Sequence, residues 1–235
     1  MKAVILAGGK GTRLRPYTVS IPKPLVPLGE KPIIEIIMRQ LEQNNIKEVY
    51  IALGYLAELL KAYFSQLNNR YDVKISFSHE QEPLGTIGPL KKISGLDETF
   101  IVLNGDILTT LSFQDLIDFH KSQGAIATLA VHSRKVEIDY GVIDISEDMR
   151  ILRHREKPVL DYLVGMGICV FEPEILGYIP ENKKYDVPDL IRSLIDSGQK
   201  ISAYVSDDYW MDIGRPDDYE KAVKDYTSSP EKFIK

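Results

Sequence analysis

The sequence predicts an α/β protein of three layers, with helices on both faces of a mostly parallel central sheet. Two observations carry this. Short apolar runs alternate with amphipathic helical patterns through roughly the first hundred residues, as expected of strands joined by crossover helices. The chain also opens on an apolar run, Met1-Lys2-Ala3-Val4-Ile5, that passes straight into a glycine-rich loop. In parallel sheets, ligands sit beyond the carboxyl ends of the strands, where such a loop lies.

That loop is Leu6-Ala7-Gly8-Gly9-Lys10-Gly11-Thr12-Arg13-Leu14-Arg15. Three glycines within four positions let backbone N–H groups converge on one point, a nest that binds an anion. Lys10 and Arg13 add counter-charge, and Thr12 adds a hydroxyl donor. Phosphate is the expected ligand, yet neither familiar phosphate loop is present. A P-loop needs Gly-Lys followed by Ser or Thr, and here Gly11 follows Lys10; the dinucleotide fingerprint needs a third glycine where Leu14 stands. An ordinary glycine turn accounts for the glycines but leaves the clustered arginines unexplained.

Composition narrows the class. At 235 residues, 44% hydrophobic and 27% charged, the chain has the make-up of a soluble globular protein with a sizeable core. No signal peptide precedes the first strand and no apolar run approaches a membrane span, so the expected location is the cytoplasm, with no membrane partner. The single cysteine, Cys169, lies in an apolar run and reads as core. A net charge of −5 argues against nucleic acid as a partner. Residues 1 to 29 hold Lys2, Lys10, Arg13, Arg15 and Lys23 and no acid, so they carry +5 and the remainder −10. One sign concentrated beside a glycine loop points to an anionic ligand there.

From Pro16 to Pro27 four prolines exclude a regular helix and clamp Lys23 between Pro22 and Pro24, which suits a lysine that must point at a ligand. Pro32 opens a helix with Ile33, Ile34, Ile37, Met38 and Leu41 on its apolar face. Val49 to Leu53 is the second strand, a helix follows from about Ala57 to Leu67, and Val73 to Ser78 is the third strand. Glu80-Gln81-Glu82-Pro83-Leu84-Gly85-Thr86 begins a loop leading to a short helix. Thr99 to Leu103 is a strand that ends in Asn104-Gly105-Asp106. An acid just past a parallel strand's carboxyl end is well placed to bind a metal beside phosphates; Asn-Gly-Asp is equally an ordinary turn.

Leu6 to Thr18, Pro22-Lys23-Pro24-Leu25, Glu82-Pro83-Leu84-Gly85-Thr86 and Asn104-Gly105-Asp106, in that order, resemble the motifs of the sugar-1-phosphate nucleotidylyltransferases, most closely the mannose-1-phosphate guanylyltransferase branch. The similarity runs to about residue 225. It implies a Rossmann-like nucleotidyltransferase fold over residues 1–226, with a mainly nucleotide-binding half (1–110), a mainly sugar-phosphate-binding half (111–226) and a polar tail (227–235). Ala125 to Val131 reads as a strand of the second half. Tyr140-Gly141-Val142 and Arg155-Glu156-Lys157-Pro158 fall where the family has its sugar-phosphate segments. Gly165-Met166-Gly167-Ile168-Cys169-Val170-Phe171 is similar to a family segment that begins with a sugar-binding Asn, and Gly165 departs from it. Tyr209-Trp210-Met211-Asp212-Ile213-Gly214 resembles the late Trp-x-Asp-x-Gly motif. A helix after Pro216 is expected to close the domain at about Tyr226, and no appended acyltransferase helix of the kind some relatives carry is expected.

The reaction implied is displacement at phosphorus: a sugar 1-phosphate attacks the α-phosphorus of a nucleoside triphosphate, giving a nucleotide sugar and pyrophosphate. Two anions must meet, so charge neutralisation is the first requirement and no covalent nucleophile is needed. By the resemblance Leu6, Ala7 and the backbone of Gly8 to Thr12 hold the nucleotide together with Glu82, Pro83, Gly85, Thr86 and Gly105. Arg13 serves the α-phosphate and departing pyrophosphate, because an Arg fork suits phosphate. Lys23 joins it, and Asp106 and Asp212 hold Mg²⁺. Tyr140, Gly141, Glu156, Lys157 and Gly165 would bind the sugar phosphate.

Plainer readings stand beside several of these. Glu156-Lys157 also fits a solvated charged pair, Trp210 a core aromatic and Arg15 a surface charge. His79, His120, His132 and His154 show no ligand spacing, with His154 the one that falls near the sugar segments. Glu82 leans toward GTP, because a carboxylate only accepts hydrogen bonds and guanine offers two adjacent donors, N1–H and N2–H. UTP, dTTP or CTP in the same reaction is the alternative, with GDP-mannose or a GDP-heptose as the products first in view. A non-catalytic nucleotide-sugar sensor would be expected to have lost Arg13, Lys23, Asp106 or Asp212, and Leu14 opposes a nicotinamide dehydrogenase. Apolar surface in the second half would serve a homo-oligomer.

Overall fold

The computed structural model describes residues 1–67, 70–80 and 82–234. Its strands are β1 (Lys2–Ala7), β2 (Pro27–Leu28), β3 (Lys31–Pro32), β4 (Glu48–Leu53), β5 (Lys74–His79), β6 (Phe100–Asn104), β7 (Ile107–Thr109), β8 (Ala127–Glu137), β9 (Val142–Ile145), β10 (Ile151–Arg155), β11 (Val159–Phe171), β12 (Ile201–Ser206) and β13 (Trp210–Asp212). Its α-helices are α1 (Ile33–Gln43), α2 (Ala57–Gln66), α3 (Phe113–Gln123), α4 (Val187–Asp196) and α5 (Pro216–Ser228). Among the described residues no helix is long and apolar enough to cross a membrane.

Seven strands form one sheet in the order β12-β8-β11-β6-β1-β4-β5. All its pairings are parallel except those of β11, which runs antiparallel to both β6 and β8. The mostly parallel sheet expected from the alternation is therefore present. β1 sits at its centre and is buried on both faces: Ala3, Ile5 and Ala7 join one core, while Val4 and Leu6 face the other. The first core is filled by the apolar faces of α1, α2, α3 and α5, including Ile37, Leu60, Leu116 and Ala222. The second lies under α4 and two 3₁₀ turns, with Phe100, Phe171, Leu190 and Leu194. Period-two alternation in the strands and 3.6-residue periodicity in the helices thus produce the three layers.

Local chemistry sets the ends of the elements. Pro32 stands at the N-cap of α1, as its fixed φ predicts. Ser112 Oγ accepts the Asp115 N–H at 3.2 Å to cap α3, and Gly124 closes that helix in the left-handed region. Between Pro16 and Pro27 there is no α-helix, only turns and the 3₁₀ turn Lys23–Leu25. The loop after Glu80 reaches the expected short helix as a 3₁₀ turn, Gly88–Lys92; Gln81 lies outside the described residues. Cys169 is buried, and burial pushes its thiol up to about 12.

The polar tail expected over 227–235 is corrected as far as the description reaches. α5 continues to Ser228, and after one turn Phe233 is buried against Tyr209 and Tyr226. Gln40 Nε2 donates to the Phe233 carbonyl at 3.0 Å. An aromatic ring in a polar stretch finds the apolar groove beside α5, and its burial holds the segment on the body. Lys235 lies outside the described residues.

β8 and β11 also run past the body of the sheet. Beyond them Ile138 N–H donates to the Pro158 carbonyl at 3.1 Å, and β9 pairs antiparallel with β10. Residues 132 to 165 thus form one long hairpin finger in which no residue is buried.

Candidate active site

The site lies where the sheet changes direction. β4 pairs with one side of β1 and β6 with the other, so a crevice opens beyond their carboxyl ends. Gly105 N–H donates to the Leu6 carbonyl at 2.9 Å, which ties the Asn104-Gly105-Asp106 turn to the start of the glycine loop. From there β7 pairs antiparallel with β13, setting Asp212 opposite Ile107, and Ile213 N–H donates to the Asp106 carbonyl at 3.0 Å. This pairing brings two aspartates from distant stretches of chain side by side.

Each aspartate has a cation. Lys23, itself buried, forms a short ion pair with Asp106, and Arg13 lies 3.8 Å from Asp212. The stiff Pro22-Lys23-Pro24 segment aims Lys23 inward, as its clamped position predicts. Arg13 sits on the 3₁₀ turn Thr12–Leu14, which Leu14 anchors by inserting fully into the core; Leu14 thereby fills the place of the third fingerprint glycine. Burial first, and then the nearby Asp106 charge, raise the Asp212 carboxyl above the usual carboxylate range. Two converging carboxylates, one with its charge disfavoured by burial and by its neighbour, are a donor set that a hard divalent cation suits. Among the described residues no group of three or more His, Cys, Asp or Glu is placed for a metal. His120 is instead buried between Thr128 Oγ1 at 2.7 Å and Glu172 Oε1 at 3.0 Å.

Two clefts meet at Asp106. The first, about 670 Å³, is lined by Leu6, Ala7, Gly8, Gly9, Lys10, Lys23, Glu82, Pro83, Gly85, Thr86, Gly105 and Asp106 among the expected residues. The second, about 580 Å³, is lined by Arg13, Gly165 and Asp212 and shares Leu6, Thr86, Asn104 and Asp106 with the first. Gly11 and Thr12 lie behind the loop and line neither cleft: Thr18 Oγ1 donates to the Gly11 carbonyl at 2.7 Å, and Thr12 opens the turn that carries Arg13. Tyr140, Gly141, Glu156 and Lys157 are on the hairpin finger, outside both clefts. There His154 lies 3.8 Å from Glu156 and close to Gly141, so the finger keeps these residues together and apart from Asp106.

Several site residues carry no sequence signal that singles them out. Glu80 closes the floor of the first cleft, packed so closely on Gly8 and Gly54 that neither position has room for a Cβ. Its Oε2 accepts the Leu84 N–H at 2.9 Å, and burial raises its carboxyl above the usual range. Glu82, two residues on, is exposed at the rim. Sequence offers two nearby carboxylates and no means to rank them; burial ranks them. Thr86 is a joint as well as a wall: its N–H and hydroxyl donate to Asp186 Oδ1 at 2.8 and 3.2 Å, and it accepts the Val187 N–H at 3.0 Å. Trp210, half-buried, lines the second cleft and donates to the Met166 carbonyl at 2.8 Å, so it is more than a core aromatic. Gly165 has open space where a side chain would stand.

Comparison with known proteins agrees with this geometry. A family model described as nucleotidyl transferase matches residues 2–229. A UTP–glucose-1-phosphate uridylyltransferase of Synechocystis sp. is 37% identical over 244 residues, covering 95% of this chain and 63% of that protein. A mannose-1-phosphate guanyltransferase beta-B of Xenopus laevis is 36% identical over 236 residues, covering 97% and 65%. The chain therefore spans just under two thirds of the length of these relatives. Among solved structures, HddC from Yersinia pseudotuberculosis superposes with a TM-score of 0.73 at 29% identity, covering 96% of this chain and 99% of that one; it is also known complexed with GMP-PN. With a matching family model over nearly its whole length, the chain belongs to the nucleotidyl transferase family.

Proposed function

We propose that this chain transfers a nucleoside monophosphate unit from a nucleoside triphosphate, with guanine the preferred base, to a sugar 1-phosphate. The observation that carries the reading is the pair of clefts meeting at Asp106, with Lys23 on one side and Arg13 on the other. In this reading the nucleoside fills the first cleft and the sugar the second, and both phosphates converge on the aspartate pair. An oxygen of the sugar phosphate forms a bond to the α-phosphorus. The bond from that phosphorus to the oxygen bridging toward the β-phosphate breaks, and that oxygen leaves with the electron pair as pyrophosphate.

The residues supply position and charge. Backbone N–H groups of the Gly8 to Lys10 loop face the triphosphate, Lys23 exchanges Asp106 for phosphate oxygens, and Arg13 bears on the charge that spreads in the transition state. Mg²⁺ held by Asp106 and Asp212 would supply further neutralisation at the α-phosphate, since it takes few carboxylates and binds phosphate oxygens readily. Glu156 and Lys157 would come to the sugar phosphate from the finger.

Guanine is favoured by Glu80. An ionised carboxylate on the floor of the first cleft accepts two adjacent donors, and guanine presents N1–H and N2–H side by side, whereas uracil presents one donor between two acceptors. GMP-PN is also the ligand with which HddC is known. Uracil is the alternative, and the Synechocystis relative's name supports it. The location that goes with this reading is the cytoplasm, where nucleoside triphosphates and sugar phosphates are both at hand.

The test is pyrophosphate release from a matrix of GTP, UTP, dTTP, CTP and ATP against a panel of sugar 1-phosphates with Mg²⁺. The expected result is release with at least one sugar and the highest kcat/KM with GTP. Silence across the whole matrix overturns the reaction; release that favours UTP overturns only the base.

A further inference from the structure

Three lysines line the first cleft, and the reaction above gives a task to only two of them. Lys10 stands on the glycine loop and Lys23 is paired with Asp106, whereas Lys184 comes from a distant stretch of chain and lies 3.5 Å from Asp186 Oδ2. Its backbone is fixed. Tyr185 N–H donates to the Leu84 carbonyl at 2.9 Å, and the Tyr185 carbonyl accepts the N–H groups of Ile87 and Gly88, both at 3.0 Å. The segment is thus stitched to the loop that carries Gly85 and Thr86. The Tyr185 hydroxyl turns to Ser193 Oγ on α4, at 2.6 Å, while its neighbours Lys184 and Asp186 turn to the cleft. The Lys184 side chain is 71% exposed with one loose ion pair, so its ammonium has donors to spare.

The Leu84 residue relates that ammonium to Glu80. Glu80 Oε2 accepts the Leu84 N–H, and the N–H next to Lys184 donates to the Leu84 carbonyl. One residue therefore joins the carboxylate on the cleft floor to the segment that bears the ammonium. Asp106 and Lys23 stand at the other end. Glu80 follows β5 and Asp106 follows β6, and three strand spacings, roughly 14 Å, separate those two strands in the sheet. With phosphates drawn to Lys23, the end that holds Glu80 and Lys184 receives the base. Guanine presents its donors, N1–H and N2–H, beside its acceptors, O6 and N7, and lysine is a common partner of O6 and N7. An acceptor and a donor on either side of Leu84 match that order. Adenine would turn an amino group to the ammonium, and a pyrimidine has no N7.

We propose that Lys184 is a specificity-determining residue, donating to O6 and N7 of the guanine whose N1–H and N2–H Glu80 accepts. This rests on the guanine reading above and adds the residue that reads the other edge of the base. Asp186 holds the ammonium at the cleft until the base arrives.

The test is kcat/KM for GTP, ITP, 7-deaza-GTP and UTP, with the sugar 1-phosphate turned over fastest, for the wild type, Lys184→Met and Lys184→Arg. ITP lacks only the 2-amino group of guanine, and 7-deaza-GTP lacks only N7. Lys184→Met is expected to lower kcat/KM about 10-fold for GTP and for ITP, which keep both acceptors, less for 7-deaza-GTP, and not at all for UTP. Lys184→Arg, whose fork suits the same two acceptors, retains the preference for GTP. Calorimetric titration with GDP and UDP makes the comparison without turnover: Lys184→Met weakens GDP about 10-fold and leaves UDP unchanged. Circular dichroism checks that the variants fold. Equal losses on all four nucleotides would make Lys184 a phosphate contact, and no loss on any would make it a solvated surface lysine. Either result in an enzyme that prefers GTP overturns this proposal alone. A wild type that prefers UTP in turnover and UDP in titration overturns the guanine reading and this proposal with it.

Discussion

Burial raises the carboxyls of Glu80 and Asp212 for the same physical reason, but the two face different neighbours. Glu80 has the Leu84 N–H and, more weakly, the neighbouring His79 to favour its charge, and it lines the first cleft, so its ionised form is better satisfied when a ligand brings donors. Glu80→Gln is expected to lower kcat/KM for GTP about 100-fold, the loss of a charged acceptor facing two donors, while UTP and dTTP lose little. The same residue sets a pH dependence. Protonation turns an acceptor into a donor, so KM for GTP should rise as pH falls through the raised Glu80 value, beginning above the 4.5 of an ordinary glutamate, and Glu80→Gln should abolish that rise. Initial rates over a pH series, with both proteins, check the sign. At Arg13 the expectation is different: it is exposed and 3.8 Å from Asp212, free to tighten on a developing charge. Arg13→Ala should cut kcat about 100-fold or more with little change in nucleotide KM. An unchanged kcat with a raised KM would make Arg13 a binding residue instead.

At the scale of elements, α4 and the loop at Gly85-Thr86 act as one piece. Asp186 precedes α4 and accepts two hydrogen bonds from Thr86, while Thr86 accepts the first N–H of the helix. Because that loop borders both clefts, Asp186→Ala should cost about 1–2 kcal/mol and raise KM for both substrates. Urea unfolding and steady-state kinetics on one preparation check the pair of effects. Gly167 makes a second link, between β11 and β6. Its φ is +71°, and a Cβ there would fall 2.5 Å from Asn104 Nδ2, so Gly167→Ala should destabilise by about 1–3 kcal/mol, read as a lower urea midpoint at unchanged m. Helix α1 and strands β1, β4 and β6 were legible in advance because their apolar periodicity is strong. The Thr86–Asp186 joint was not, since it spans a hundred positions and neither residue type signals a distant partner.

For the whole molecule, the one sheet passes through both halves because β11 returns between β6 and β8. The last described residues belong to the same body: Phe233→Ala should cost about 3 kcal/mol, as a buried aromatic removed from between Tyr209 and Tyr226, and differential scanning calorimetry reads it directly. A stability equal to the wild type's would restore the reading of that stretch as a tail. The finger shows the opposite case. The sequence analysis expects apolar surface in the second half without placing it, and the structure shows that β8 and β11 carry the finger's isoleucines and leucines away from the body.

The sequence by itself determined the alternation that makes a parallel sheet, the glycine loop at the end of its first strand, the inward lysine clamped by prolines, and the ordered motifs that place the chain in its family. These are local matters of periodicity, backbone freedom and side-chain chemistry, and neighbouring residues suffice to express them. Only the tertiary structure decided that β7 and β13 bring Asp106 and Asp212 together, that Glu80 rather than Glu82 lies on the cleft floor, that Glu156 and Lys157 stand on a finger outside both clefts, and that Phe233 is buried. Each of those depends on strand pairing or burial across long stretches of chain, which no local pattern encodes.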